Sequence, residues 1–306
     1  MKKLLALLLA ILMVTGLVAC GSKEAPAEEA PAQDAAVEEA PAEEEAPAEE
    51  EAPAEEEAPA EEADSDLAYV TGNGKMVVGI TIYEPMNYFD DAGELTGFDT
   101  EFAKAVCEKM GLEAEFIEIN WDTKEVELAA KSIDCIWNGM TITEDRKANM
   151  SISDPYVKNA QVIVVKADSD AASTADLIGK TVVAEMGSAG EAQVIGEEPE
   201  ANLAQSNYVG VAKQTDCLME IKAGTADAAV LDWTLAKSMV GEGTDFSDLK
   251  ILEGVELATE EYGIAFRQGS DVTAAVNDVI AELVADGTLP ALAEKYGLAL
   301  APAIAG

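Results

Sequence analysis

Ile133-Asp134-Cys135-Ile136-Trp137, running into Asn138-Gly139-Met140-Thr141-Ile142-Thr143-Glu144-Asp145-Arg146, is the stretch around which the chain is organised. The first five residues form an apolar run that reads as a buried strand, and the polar residues after Thr143 read as a short helix. Asn138 to Arg146 is then the loop that leaves a strand and enters a helix, with Thr143 as the helix cap. Arg146 is one of only two arginines in a chain of 306 residues with a formal net charge of −41. By residue type alone it would be a surface ion-pairing group, worth little energetically. Its rarity and its place just past a strand end make it a candidate for binding instead.

Working outward, strand and helix patterns alternate from Lys75 on. Met76 to Ile82 is β-rich. A helix capped by Thr100 carries Phe102, Val106, Cys107 and Met110 on its apolar side and ends at Gly111. Ala114 to Ile119 is the next strand, and a helix over 124–131 leads back to the opening stretch. This βαβαβ series predicts a parallel sheet covered by helices. After Asp154-Pro155-Tyr156 a second α/β unit begins. It has strands at Gln161 to Lys166, Thr181 to Glu185 and Ala228 to Leu231, with helices near Ser173, after Gly187-Ser188 and over Lys213 to Ala223. A late strand, Glu261 to Arg267, precedes an amphipathic helix carrying Val272, Val276, Val279, Ile280 and Leu283, and a last helix, Pro290 to Tyr296.

The N-terminal end is not part of the fold. Lys2 and Lys3, the apolar segment Leu4 to Val18 and then Ala19-Cys20 form a lipoprotein-type export signal, residues 1–19, with Cys20 as the lipid anchor. Residues 20–66 are Ala-, Pro- and Glu-rich, with a period of six over 40–57. Repeated prolines and like charges predict an extended, solvated tether. The remainder is still strongly acidic, which argues against nucleic acid as a partner. Histidine is absent, which excludes histidine triads, histidine bases and the usual zinc sets. No metal or cofactor is expected. Cys107, Cys135 and Cys217 sit in apolar contexts without CxxC spacing and read as buried free thiols.

Ligands of open α/β sheets bind at the C-terminal ends of strands. Tyr83, Thr141, Arg146, Ser188 and Asp232 fall there. One cation, one anion and hydroxyls suit a zwitterion: Arg146 for a carboxylate, Asp232 for an ammonium, and Ser188 at a helix start. Tyr83 and Trp121 offer flat walls. Asp232 could equally cap the helix Trp233 to Met239. Trp137 and Trp233 read as packing residues, and Arg267 as a solvated one.

At Tyr83-Glu84-Pro85-Met86, Leu95-Thr96-Gly97-Phe98-Asp99, Gly139-Met140-Thr141-Ile142-Thr143 with Arg146, Ser153-Asp154-Pro155-Tyr156, Gly187-Ser188 with Glu191, and Asp227-Ala228-Ala229-Val230 with Asp232, the chain resembles the extracellular solute-binding proteins of polar amino acid ABC transporters. The resemblance spans about Lys75 to Gly297. It implies an α/β, two-lobed periplasmic-binding-protein-like fold of type II, each lobe a sheet flanked by helices, joined by two hinge crossings. Lobe 1 would be 67–159 plus 263–306, and lobe 2 would be 160–262. It further implies that Arg146 holds the α-carboxylate of a free amino acid, with Ser188 and the Ala189 amide. Asp232 would hold the α-ammonium with Thr141 and a carbonyl of Gly139 or Met140. Tyr83 and Trp121 would flank the side chain, and Asn138 would touch it. Such a protein is a monomer that is no enzyme. It hands its ligand to an ABC permease from the outer face of the membrane. Relatives that bind cationic amino acids place an acid near position 80; this chain has Ile80 there, which argues against lysine or arginine, although Glu84 leaves that open. A dehydratase-like enzyme and a ligand-sensing module on the same fold are the alternatives.

Overall fold

The computed structural model describes residues 65–305; the export signal, Cys20 and the acidic repeat lie outside the described residues. Helix α1 (Asp66–Asn73) opens the body, capped by Ser65, whose hydroxyl accepts from the Ala68 amide at 2.9 Å. Composition alone carries the tether through residue 66. Ser65 and Asp66 belong to the fold instead, because α1 buries Val70 completely and Asp66 pairs with Arg267.

The next elements are β1 (Lys75–Ile80), a small hairpin of β2 (Tyr88–Phe89) and β3 (Leu95–Thr96), α2 (Phe98–Met110), β4 (Glu113–Glu118), α3 (Lys124–Ala129), β5 (Cys135–Thr141), α4 (Glu144–Asn149) and β6 (Met150–Ile152). Then come β7 (Val157–Lys166), β8 (Thr181–Glu185), α5 (Ala189–Ile195), β9 (Asn207–Val211), α6 (Gln214–Ala223), β10 (Ala228–Asp232) and α7 (Trp233–Met239). A long β11 (Leu249–Arg267) and helices α8 (Val272–Ala285) and α9 (Thr288–Tyr296) complete it.

The strands lie in the order β4-β1-β5-β11-β7-β10-β8-β9, with β6 on β11. Both ends of this order are parallel, as the alternating pattern predicts: β1 with β4 and β5, and β8 with β9 and β10. The middle is antiparallel. There β7 and β11 lie side by side, pairing Val157 with Tyr262, Lys158 with Glu261 and Asn159 with Glu260. The result is a two-lobed α/β fold whose chain crosses between lobes twice, on β7 and on β11. Among the described residues no helix is long and apolar enough to cross a membrane.

The first lobe's core forms where α2 lays Phe98, Phe102, Val106 and Cys107 against the sheet. Phe102 meets the fully buried Trp137 edge-on at 5.0 Å, a favoured aromatic geometry. Each such ring contributes on the order of 2–3 kcal/mol through burial. Cys107, Cys135 and Cys217 are buried and free, and burial pushes the Cys107 thiol up to about 12, so it is unreactive.

Several local expectations fail for identifiable reasons. Thr100 does not cap α2; the helix begins two residues earlier behind Gly97, and the Thr100 hydroxyl donates to Asn87 Oδ1 at 2.8 Å. Gly97 has φ 117°, and a Cβ there would stand 2.3 Å from the Met86 carbonyl oxygen, so only glycine fits. Strand β5 does not stop at Trp137. Its ladder with β11 continues through Gly263–Met140 and Tyr262–Thr141, which makes Asn138 to Thr141 strand rather than loop. Arg267 is not solvated. Its Nε donates to Asp66 at 2.8 Å, Nη2 to Asp134 at 3.2 Å and Nη1 to the Ile133 carbonyl at 2.8 Å. It staples α1 to the entry of β5, and removing one partner of such a network is costly.

Candidate functional site

The C-terminal ends of β5, β8 and β10, the turn after β1 and the 3₁₀ turn Trp121–Thr123 converge on one cavity between the lobes. Its walls are Thr81, Tyr83, Trp121, Asn138, Gly139, Thr141, Arg146, Glu185, Ser188, Ala189, Gln214 and Asp232, and with the lobes drawn together the free space between them is about 10 Å³, room for about one water.

Arg146 sits in the first turn of α4, which Thr143 caps: its hydroxyl accepts from the Arg146 amide at 3.2 Å. The guanidinium is buried. Nη1 donates to the Thr141 carbonyl at 2.7 Å and Nη2 to the Gly187 carbonyl at 3.1 Å. No carboxylate lies within ion-pairing distance among the described residues, although Glu260, Asp232, Glu125 and Glu185 act on it from farther away. Burial lowers its pKa, but an arginine stays charged regardless. A buried guanidinium held by two carbonyls, with its other donors unused among the described residues, can receive an anion.

Asp232 ends β10, and its side chain does not cap α7. Oδ1 accepts from Asn159 Nδ2 and from Gln161 Nε2, both at 2.6 Å; Oδ2 accepts from Gln214 Nε2, while Gln214 Oε1 takes the Asp232 amide at 3.1 Å. Behind it stands Glu260 on β11. Glu260 Oε1 accepts from the same Asn159 and Gln161 amides, at 2.6 and 2.8 Å, and from the Thr141 hydroxyl at 2.8 Å. Two carboxyls thus share their donors. Burial pushes Asp232 up, and hydrogen bonds from Gln214 and Gln161 hold it back. Burial and then the Asp232 charge push Glu260 up to about 8, so the two carboxyls between them keep a proton near neutral pH.

The lobes are fastened across the cavity. The Gly187 carbonyl receives both Arg146 and the Lys124 ammonium, the latter at 2.9 Å. The Tyr83 hydroxyl bonds to Thr234 Oγ1 on α7 and to the Tyr262 hydroxyl at 2.5 Å. Trp121 is buried under Lys124, whose Nζ lies 4.8 Å from the ring centroid. Ser188 caps α5 by accepting from the Glu191 amide at 3.0 Å, which leaves its own O–H free to donate. Gly139 has φ 56°, and its amide donates to the buried Asp99 at 2.6 Å. A Cβ on Gly139 would fall 2.7 Å from the Tyr83 ring.

Of the ten residues named from sequence, Tyr83, Trp121, Asn138, Gly139, Thr141, Arg146, Ser188, Ala189 and Asp232 line this cavity. Met140 does not. Its side chain turns into the core among Ile119, Leu128, Ile136 and Met150, away from the cavity. Sequence reasoning misses Thr81, Glu185 and Gln214 in the wall, and Glu260 behind it. Glu185 is within reach of the strand-end rule, because it is the last residue of β8. Gln214 follows β9, a strand that the sequence pattern does not reveal.

The family model described as bacterial extracellular solute-binding proteins, family 3, matches residues 76–299. The L-cystine-binding protein TcyJ of Escherichia coli (strain K12) is 33% identical over 236 residues, covering 74% of this chain and 84% of that protein. The arginine-binding extracellular protein ArtP of Bacillus subtilis (strain 168) is 31% identical over 229 residues, covering 74% and 87%. Among solved structures, a mutant of ArgBP from T. maritima superposes with a TM-score of 0.69 at 36% identity, covering 76% of this chain and 99% of that one.

Proposed function

The chain belongs to the bacterial extracellular solute-binding proteins, family 3, and on that premise we propose that it binds one free α-amino acid outside the cell and delivers it to an ABC transporter permease. The observation that carries this is the opposition of Arg146 and Asp232 across one closed cavity, each buried and neither paired with the other. An α-amino acid supplies the missing counter-charges. Arg146 takes the carboxylate with help from the Ser188 hydroxyl and the Ala189 amide. Asp232 takes the ammonium with the Thr141 hydroxyl oxygen and the Gly139 carbonyl. Tyr83, Trp121 and Asn138 bound the side chain. The names of the relatives, cystine- and arginine-binding, support an amino acid as ligand.

Lobe 1 is 67–159 plus 263–306, extended at its start by Ser65 and Asp66, and lobe 2 is 160–262; they close on the ligand by bending at β7 and β11. Closure expels water and strengthens both charge contacts. Cys20 bears the lipid that holds the protein to the outer face of the membrane, and the acidic segment spaces the binding body from it. Binding without catalysis is the proposed activity. A dehydratase-like enzyme would turn its ligand over.

A thermal-shift screen of the common amino acids tests this. A ligand at a hundred times its Kd adds about 2.7 kcal/mol, or roughly 5–10 °C in Tm for a body of this size. At least one amino acid should give that shift and be recovered unaltered. No shift from any of them, or conversion of the one that binds, contradicts the proposal.

A further inference from the structure

Glu185 stands at the cavity wall with no counter-charge of its own. It closes β8, is 3% exposed, and its Oε1 is buried without a hydrogen-bond partner among the described residues. The charged groups that face it are Asp232 from β10, Lys124 from α3, Arg146 from α4 and Asp216 from α6. Lys124 is engaged elsewhere, its Nζ donating to the Trp121 carbonyl at 3.1 Å and to the Gly187 carbonyl at 2.9 Å. A buried carboxyl left without a partner is unfavourable, and a charged one more so.

If the cavity holds an α-amino acid, as proposed above, Arg146 and Asp232 match its two backbone charges one to one. Glu185 is then the acid left over for the side chain. We infer that Glu185 is the specificity-determining residue and that the ligand is an α-amino acid whose side chain ends in a cation. An apolar side chain would leave the carboxyl without a partner. An acidic one would set two carboxyls together in a closed cavity. Thr81 and Gln214 add polar atoms to the wall and fit a hydrogen-bonding side chain rather than an aliphatic one.

The proton balance follows from the geometry. Burial, and next the charge of Asp232, push the Glu185 carboxyl up to about 8, so near neutral pH it keeps its proton in the absence of ligand. An incoming cation replaces that proton, which leaves to solvent, and a carboxylate–cation pair forms. Binding of the cationic ligand therefore tightens as pH rises from 6 to 8. Glu260 and Lys124 also titrate near 8 and act on a charged side chain too. The part of the pH dependence that belongs to Glu185 is the part that disappears in the Glu185 variants.

Calorimetric titration of the wild type and of Glu185→Gln with arginine and citrulline, and with lysine and norleucine, tests this. The wild type should prefer the cationic member of a pair by about tenfold or more, and Glu185→Gln should cut that preference by about tenfold. The wild-type preference should also grow between pH 6 and 8. Glu185→Met, which removes the charge at similar length, gives the same answer should the Gln variant fail to fold. Preference for the uncharged member, or an unchanged preference in the variants, overturns the inference while leaving the amino acid site in place. Failure of the wild type to bind any amino acid overturns both.

Discussion

Arg146→Ala should lose tight amino acid binding while the lobes stay folded. The side chain is buried and has no carboxylate of its own among the described residues, so on the proposed function its charge is left to meet the ligand's carboxylate. Truncating one partner of a buried, hydrogen-bonded charge pair costs about 2–5 kcal/mol, which is roughly a 30- to 3,000-fold rise in Kd. Arg146→Lys should recover only part of this. An ammonium restores the charge but cannot span Thr141, Gly187 and a carboxylate with one planar fork. The fold should persist because β5 is held by its ladder with β11 and α4 by the Thr143 cap. Near-normal affinity by calorimetry in Arg146→Ala would remove it from the site.

The second large effect is expected at Asp232. Asp232→Asn keeps the shape but removes the charge that meets an ammonium, and its amide nitrogen replaces one of the two oxygens that accept from Gln161 and Gln214. Kd should rise by the same order, about 2–5 kcal/mol in binding energy. Stability without ligand should move the other way. Glu185 and Glu260 bind their protons more tightly folded, near 8, than unfolded, at their ordinary value of 4.5. That stabilisation is complete below about pH 4.5 and is lost as pH rises through 8. Asp232 pushes both carboxyls up. In the Asp232→Asn variant both ionise more easily, so the unliganded variant should lose less Tm between pH 5 and 8 than the wild type. A variant that binds normally, or that melts far earlier at every pH, would mark Asp232 as structural instead.

The two proposed anchors are legible in sequence because each marks itself locally. Arg146 is rare and follows a strand end, Thr143 has cap spacing, and Asp232 closes an apolar run. What was not legible depends on pairing across the chain. Arg267 looked solvated because its partners Asp66 and Asp134 lie 201 and 133 residues away. Asn138 to Thr141 reads as loop because the ladder that makes it strand comes from β11, about two fifths of the chain later. Met140 enters the expected site through the family resemblance and only for its carbonyl, while its side chain lies in the core. Its packing into the core follows once β5 is read through Thr141, although the positive φ at Gly139 prevents strict alternation from revealing it. Glu260 is a single acid on a crossing strand. Only the fold brings it against Asp232 through the shared amides of Asn159 and Gln161.

The central claim is that this cavity grips an amino acid by both of its backbone charges. The most direct measurement is a calorimetric titration of the wild-type protein with the amino acid that stabilises it best, beside the same molecule with its α-carboxylate amidated and with its α-amine acetylated. One parent molecule should bind per chain, and each blocked form should bind at least about a hundredfold more weakly, since each leaves Arg146 or Asp232 buried without its partner. A blocked form that binds within a few-fold of the parent would contradict the account.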